Sequence, residues 1–390
     1  MPESSPSLLF LESLPTISGG QAVLVSLVPA LAQDYELLAL LPGPGPLADA
    51  LCQHGVACQF APMGGYTLVR KTAGDLVRYV TELPRLTWHA WRLIRRHHID
   101  LVYANVGRTF VWGTLAAALA KTPIIWHHHN LFADSKTLFV LKMTGRWPTV
   151  RRIVAVSKAA AAQFPDLQDK VAVIPTGIDT TVFCPDPVAR VRVRNELGIP
   201  LGASVVGIVG DLIPLKGQQT LLEAAQLGPA DVYYLIVGRA RPSDDESRDF
   251  ELRLRTMAHP RTIYTGYRPD IQAVLNSLDL LVVASERETG PLVLVEALAC
   301  GVPVISTPVG RAEELLPPDA LFPVGDAAAL ATRLRLWLAD GPKMAAARGT
   351  ARQLAEQRLS LAQFRREIRL ELERALLLHR AGPKPAPLME

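Results

Sequence analysis

Short apolar runs of strand length alternate along almost the whole chain with longer segments whose apolar positions recur every three or four residues. In the first half the runs are Leu8–Leu11, Leu37–Leu41, Leu101–Ala104, Ile124–Trp126, Ile153–Val156 and Val171–Ile174. In the second half they are Val205–Val209, Val232–Val237, Thr262–Tyr264, Leu280–Ala284 and Val302–Ser306. Continuous apolar runs suit strands buried on both faces, and their alternation with helices predicts parallel sheets covered on both sides. Two such sets in succession predict an α/β chain of two Rossmann-like, doubly wound domains. The segment FCPDP at 183–187 breaks any regular element, so residues 1–183 are expected to form the first domain and 184–359 the second. Ser360 to Leu378 then reads as a long amphipathic helix with arginines on its polar side. Residues 381–390, with the run GPKPAPLME, are expected to be a disordered tail.

Composition sharpens this in a few places. At 390 residues, 49% hydrophobic and 20% charged, the chain has ample core for two domains. The net charge of +4 hides an asymmetry, because no Lys or Arg precedes Arg70 and the stretch Arg70–His98 is strongly basic. There Arg78, Arg85, Arg92, Arg95 and Arg96 interleave with Leu86, Trp88, Trp91, Leu93 and Ile94. Such a helix either covers a sheet with one face or makes a peripheral contact with an anionic membrane surface. No nucleic-acid reader motif accompanies the charge, so nucleic acid is not an expected partner. The four cysteines show no metal-ligand grouping and fit reduced thiols. The N-terminus lacks the basic start of a signal peptide, and Glu12 interrupts its apolar run. A cytoplasmic protein, with the inner face of a membrane as a candidate contact, is the expectation.

The densest chemistry lies in SERETGPLVLVEALACGVPVISTPVGRAEEL, from Ser285 to Leu315. Pro291 can open a helix, Leu292, Val295, Leu298 and Ala299 recur at helical spacing, and Gly301 and Pro303 stop it. Glu296 falls on or beside the face that should be buried, where a carboxylate is costly unless it accepts hydrogen bonds. Glu288 sits just ahead of the helix start, where amides favour an anion. The bland alternative makes Glu288 a solvated loop residue and Glu296 a salt-bridged helix residue.

Other segments carry possible sites. Gly19-Gly20 follows the first strand and precedes a helix expected to start near Ala22, and it could bring backbone amides close to an anion. Gly210-Asp-Leu-Ile-Pro-Leu-Lys216-Gly217 follows a strand, and Lys216 is a point charge suited to phosphate oxygens. Trp126-His127-His128-His129-Asn130 ends another strand, with His127 and His129 on one face. No convincing third metal ligand accompanies them.

Together these motifs resemble the retaining glycosyltransferases of the GT-B fold, family 4 (group 1). The Glu288-to-Glu296 stretch, through Gly301, Pro303 and Ile305, is similar to that family's Glu-x7-Glu signature. Gly19-Gly20, Gly210 to Gly217, Ile174-Pro-Thr176-Gly177-Ile178-Asp179, and Gly266-Tyr-Arg268-Pro-Asp270 are similar to further family segments. The resemblance implies two Rossmann-like domains facing a central cleft, with the C-terminal helix, 360–380, crossing back to the first. It implies a nucleotide-sugar donor bound by Lys216, Glu296, Gly290, Pro291, Leu292, Asp211 and Arg268, with Glu288 and His129 as catalytic residues. Gly19 and Gly20 would line the acceptor and phosphate side, and a glycan or lipid-linked molecule would be the acceptor. No metal or other cofactor is expected, and the chain carries no Asp-x-Asp. Asp211 stands where the family usually has Arg, so either another cation such as Arg287 or Arg239 compensates or the donor is held differently. The implied activity is glycosyl transfer in cell-surface polysaccharide or glycolipid synthesis. A non-transferase GT-B enzyme, such as a sugar-nucleotide epimerase, and an inactive sugar-nucleotide-binding protein are the alternatives.

Overall fold

The computed structural model describes residues 5–64, 73–132, 134–241, 244–257 and 259–381. Arg70 and the closing run 382–390, where the disordered tail is expected, lie outside the described residues. The chain divides into two compact units, 1–175 with 365–390, and 176–364. The first crossing thus follows Pro175, ahead of the 183/184 boundary expected from FCPDP.

The first unit holds a seven-stranded parallel sheet. Its strands are β1 (Ser7–Leu11), β2 (Glu36–Leu41), β3 (Ala57–Phe60), β4 (Leu101–Ala104), β5 (Ile124–His128), β6 (Val150–Ala155) and β7 (Val171–Val173), in the spatial order β3-β2-β1-β4-β5-β6-β7. β1, β4 and β5 are buried along their whole length, which is why they read as unbroken apolar runs. Trp126 of β5 stacks on Phe110 with ring centroids 4.6 Å apart and donates its indole N–H to Thr114 Oγ1 at 3.1 Å. β3 is the strand with no apolar signature: it lies at the sheet edge and three of its four residues are exposed.

The described residues from Arg365 to Ala381 belong to this first unit. Arg365 donates to the carbonyl of Ser26 at 2.6 and 2.8 Å, Arg369 pairs with Asp34 at 2.8 Å, and Glu371 pairs with the buried Arg152.

The second unit has a five-stranded parallel sheet, ordered β10-β9-β8-β11-β12. The strands are β8 (Val205–Val209), β9 (Tyr233–Val237), β10 (Thr262–Gly266), β11 (Leu280–Val283) and β12 (Val304–Ser306). Asp279, at the start of β11, clamps this unit. Its carboxylate accepts from Arg190 at 2.6 Å, from Arg194, from Arg348 and from the backbone N–H of Val205. Burial alone would push this carboxyl up, but the guanidiniums of Arg190 and Arg194 outweigh it and hold it below the usual range. The two ends of the unit are zipped together: Ile178 N donates to Leu359 O at 2.7 Å and Leu361 N to Ile178 O at 2.9 Å. A side chain on Gly177 would collide with Ser360 O at 2.6 Å, so the glycine permits this approach.

Candidate active site

In an open parallel sheet, ligands bind beyond the carboxyl ends of the strands where the winding reverses. The strand orders place these reversals between β1 and β4 in one unit, and between β8 and β11 in the other. Most of the residues singled out from the sequence lie at these two points, and each unit is described by itself.

In the first unit β1 runs directly into Glu12 and β4 into Asn105. Glu12 is fully buried. It accepts hydrogen bonds from Ser13 N at 2.6 Å and Asn105 Nδ2 at 2.8 Å. Burial nevertheless pushes its carboxyl above the usual range. Asn105 Nδ2 donates also to Gly20 O at 3.1 Å, so both amide hydrogens are committed and Oδ1 must be the acceptor facing His129 Nε2 at 3.2 Å. The network therefore assigns the His129 proton to Nε2. Burial, reinforced by His128, pushes the His129 imidazole down to about 3. It is neutral at neutral pH. His127 lies beside it, with ring centroids 3.9 Å apart, but its Nδ1 is engaged by Tyr103 OH at 2.5 Å in the core. His128 points to Gln163 at 3.2 Å, and burial brings it to about 4.

Gly19 and Gly20 form the first turn of the helix Gly19–Leu31, which starts at Gly19 and not near Ala22. The reason is Ser18, whose backbone N–H donates to Gln21 Oε1 at 3.3 Å and caps the helix earlier than the glycines suggest. A side chain at Gly20 would rest on the His129 ring at 3.5 Å, so the glycine leaves that imidazole face uncovered by residue 20.

In the second unit, β8 and β9 end at Gly210 (φ 151°) and Gly238 (φ 142°). A Cβ on Gly238 would stand 1.9 Å from the carbonyl oxygen of Gly210, so only glycine lets these strand ends run so close. The loop after β8 likewise presses onto the end of β11: a Cβ on Gly217 would meet Ala284 O at 2.1 Å, and Glu286 N donates to Leu215 O at 3.0 Å. This approach brings Lys216 into an ion pair with Glu288. Ser285 Oγ donates to the same Glu288 oxygen at 3.3 Å, and Thr307 Oγ1 holds the Ser285 carbonyl at 2.7 Å. Glu288 is thus not merely solvated. It is tied to the lysine expected at the phosphates.

Gly290 and Pro291 lead into the helix Leu292–Ala299, with Pro291 as its N-cap. Leu294, Val295, Ala297, Leu298 and Ala299 are buried, and Glu296 is half-buried among them. Among the described residues its carboxylate has no hydrogen-bond or ion-pair partner. Burial pushes it up to about 7. The salt-bridged alternative for Glu296 is therefore not what the structure contains.

Two residues expected at the donor have partners within the unit. Arg268, expected at the donor, spends its guanidinium on Asp270 at 2.8 and 2.9 Å and on Glu196, clasping the loop after β10 to the helix Pro187–Glu196. Asp211, expected to be offset by Arg287 or Arg239, pairs instead with Arg241, whose Nε lies 2.8 Å from Asp211 Oδ2. Arg239 lies over the Tyr267 ring, 4.9 Å from its centroid. Among the described residues no group of three or more His, Cys, Asp or Glu is arranged to hold a metal ion. Nor is any described helix long and apolar enough to cross a membrane.

Comparison with known proteins agrees with this architecture. A family model of glycosyl transferases group 1 matches residues 190–354, and one of Glycosyltransferase Family 4 matches residues 17–182. HepE of Anabaena, solved in complex with UDP and glucose, superposes with a TM-score of 0.80 over 94% of this chain and 99% of its own, at 24% identity. The fold is therefore GT-B, and the protein is a glycosyltransferase. It belongs to the group 1, family 4 glycosyltransferases. Among relatives, the UDP-Gal:alpha-D-GlcNAc-diphosphoundecaprenol alpha-1,3-galactosyltransferase of Escherichia coli is 26% identical over 310 residues, 75% of this chain and 76% of its own length. A D-inositol 3-phosphate glycosyltransferase of Xylanimonas cellulosilytica is 27% identical over 300 residues, 68% of each chain.

Proposed function

We propose that this enzyme moves a sugar from a nucleotide-sugar donor, held by the second unit, to a glycan or lipid-linked acceptor, with retention of anomeric configuration and no metal. The observation that carries the reading is Glu296. A half-buried carboxylate that is pushed up to about 7 and has no partner among the described residues is poised to accept two hydroxyl hydrogens. The vicinal hydroxyls of a ribose supply that pair. Glu288 contacts the sugar being transferred, and Lys216 turns to the diphosphate when it is present.

As the bond from the anomeric carbon to phosphate breaks, the nucleoside diphosphate leaves with the electron pair. The acceptor oxygen bonds the same face, and its proton passes to the leaving phosphate. Lys216 and the backbone amides at Leu292 and Val293 supply fixed positive charge where that negative charge develops, which supports a metal-free step. In the first unit, neutral His129 hydrogen-bonds a sugar hydroxyl, and Gly19 and Gly20 line the acceptor side. UDP is the favoured nucleotide, since the Escherichia coli relative is named for UDP-Gal and the Anabaena protein was solved with UDP. The lipid diphosphate in that relative's name supports cell-surface glycan or glycolipid synthesis.

A peripheral contact at the inner face of the membrane belongs to the same proposal. On the helix Ala73–Arg96, Arg85, Arg92, Arg95 and Arg96 are exposed, and Trp88 lies outward with Arg92 over its ring at 5.4 Å. Transfer from UDP-sugars in the presence of a chelator, with the anomeric configuration of the product read by NMR, tests the chemistry. Retention without metal is expected, and an inverted product or strict metal dependence would refute it. Co-sedimentation with vesicles containing anionic lipid tests the contact.

A further inference from the structure

We infer that Arg241 is a further donor-binding residue, reaching the diphosphate through its η nitrogens, and that Asp211 is the residue that positions it. The inference rests on the donor reading above.

The end of β8 is flanked by two tethered cations. The stem of Lys216 passes over Gly210, its Cδ and Cε each 3.5 Å from where a Cβ would stand. The next residue, Asp211, holds Arg241, which arrives on the loop after β9. The tethers differ in what they leave available. The Lys216 ammonium is paired with Glu288 and must turn from it to reach a phosphate. Arg241 uses only its Nε on Asp211, and among the described residues its two η nitrogens have no partner. Those nitrogens form the planar fork that matches phosphate oxygens bidentately, which a lysine cannot offer.

The loop is also fixed in place. Arg241 N donates to Ser247 Oγ at 2.7 Å, and this buried hydroxyl donates in turn to Leu212 O at 3.0 Å. Ala240 N donates to Glu251 Oε2 at 3.0 Å, and Leu212 N to Arg239 O at 3.1 Å. The cation is therefore pre-set against the backbone of the strand that leads into Lys216. The charge at residue 211 is not a lost cation. It is an anchor that brings one in from the neighbouring strand end.

The test is calorimetric titration of UDP, GDP and ADP, each beside its free nucleoside, into the unaltered protein and the Arg241→Gln, Asp211→Asn, double and Glu296→Ala variants. In Arg241→Gln the diphosphate that binds should weaken at least about tenfold while its nucleoside is unchanged, the loss expected for one charge-assisted contact. The effect of Asp211→Asn, whatever its sign, should vanish on the Arg241→Gln background if Asp211 acts only through Arg241. Equal weakening of diphosphate and nucleoside, or no weakening, would overturn the inference, and a persistent Asp211 effect would overturn its positioning part. Diphosphate binding lost in Glu296→Ala but untouched in Arg241→Gln removes this inference and leaves the donor reading. No binding of any diphosphate to the unaltered protein removes both.

Discussion

Replacing Glu296 by Gln should make the protein more stable at alkaline pH while weakening its hold on the donor. The carboxyl is raised from 4.5 to about 7 by burial. Its folded-state pKa therefore lies above the unfolded value, so the folded state binds the extra proton and stability falls as pH rises from about 4.5 to 7. With one pKa unit equal to about 1.4 kcal/mol, the cost of keeping this charge grows from under about 1 kcal/mol at pH 5 to about 3 kcal/mol at pH 8. A neutral amide of the same shape never incurs it. Chemical denaturation of both proteins at pH 5 and pH 8 should show the Gln variant gaining about 2 kcal/mol more at pH 8 than at pH 5. Donor affinity should move the other way, because the amide loses charge-assisted bonds to hydroxyls, at about ten to a hundredfold. In the unaltered protein, binding should weaken about tenfold per pH unit below 7, as protonation removes the acceptor. A Gln variant that is less stable at pH 8, or a donor affinity flat from pH 5 to 8, would refute the reasoning.

Other outcomes follow from the same structure. Gly238→Ala should cost about 3 kcal/mol and abolish donor binding, since its Cβ would fall 1.9 Å from Gly210 O; a folded variant that binds normally would contradict this close approach. Asp279→Ala should destabilise the second unit by about 3–5 kcal/mol, because it strands the fully buried Arg194 without its counter-ion; denaturation midpoints read this directly. NMR of the imidazoles should show that His127, His128 and His129 do not titrate between pH 8 and 5, burial having lowered all three, so the acid limb of activity belongs to none of these histidines. A midpoint near 6.5 for any of them would show that its ring is wet.

The strands were legible where the sheets bury them on both faces, since burial forces an unbroken apolar run. β3 escaped because an exposed edge strand needs no such run, and Ala-Cys-Gln-Phe carries no period. Glu288, Glu296 and Lys216 could be read because their chemistry sits inside local motifs. The Glu12–Asn105–His129 network could not, because its members come from three strand ends that the fold brings together. Two members left separate traces, His129 in its strand-end motif and Glu12 as an interruption of an apolar run, but nothing in the spacing joins them through Asn105. Arg241 was hidden for the same reason: the partner of Asp211 depends on β8 and β9 being neighbours, and nothing in the spacing favours it over Arg239 or Arg287. Arg268 illustrates a related limit: beside its local pair with Asp270, its pair with Glu196 depends on the helix Pro187–Glu196 lying beside the loop after β10.

The central claim is that the second unit binds a nucleotide sugar through Glu296. Calorimetric titration of UDP-, GDP- and ADP-sugars into the protein and its Glu296→Ala variant, in the presence of a chelator, tests it most directly. One donor should bind the unaltered protein and fail to bind the variant. Binding that survives the substitution, or no binding of any donor, would contradict the claim.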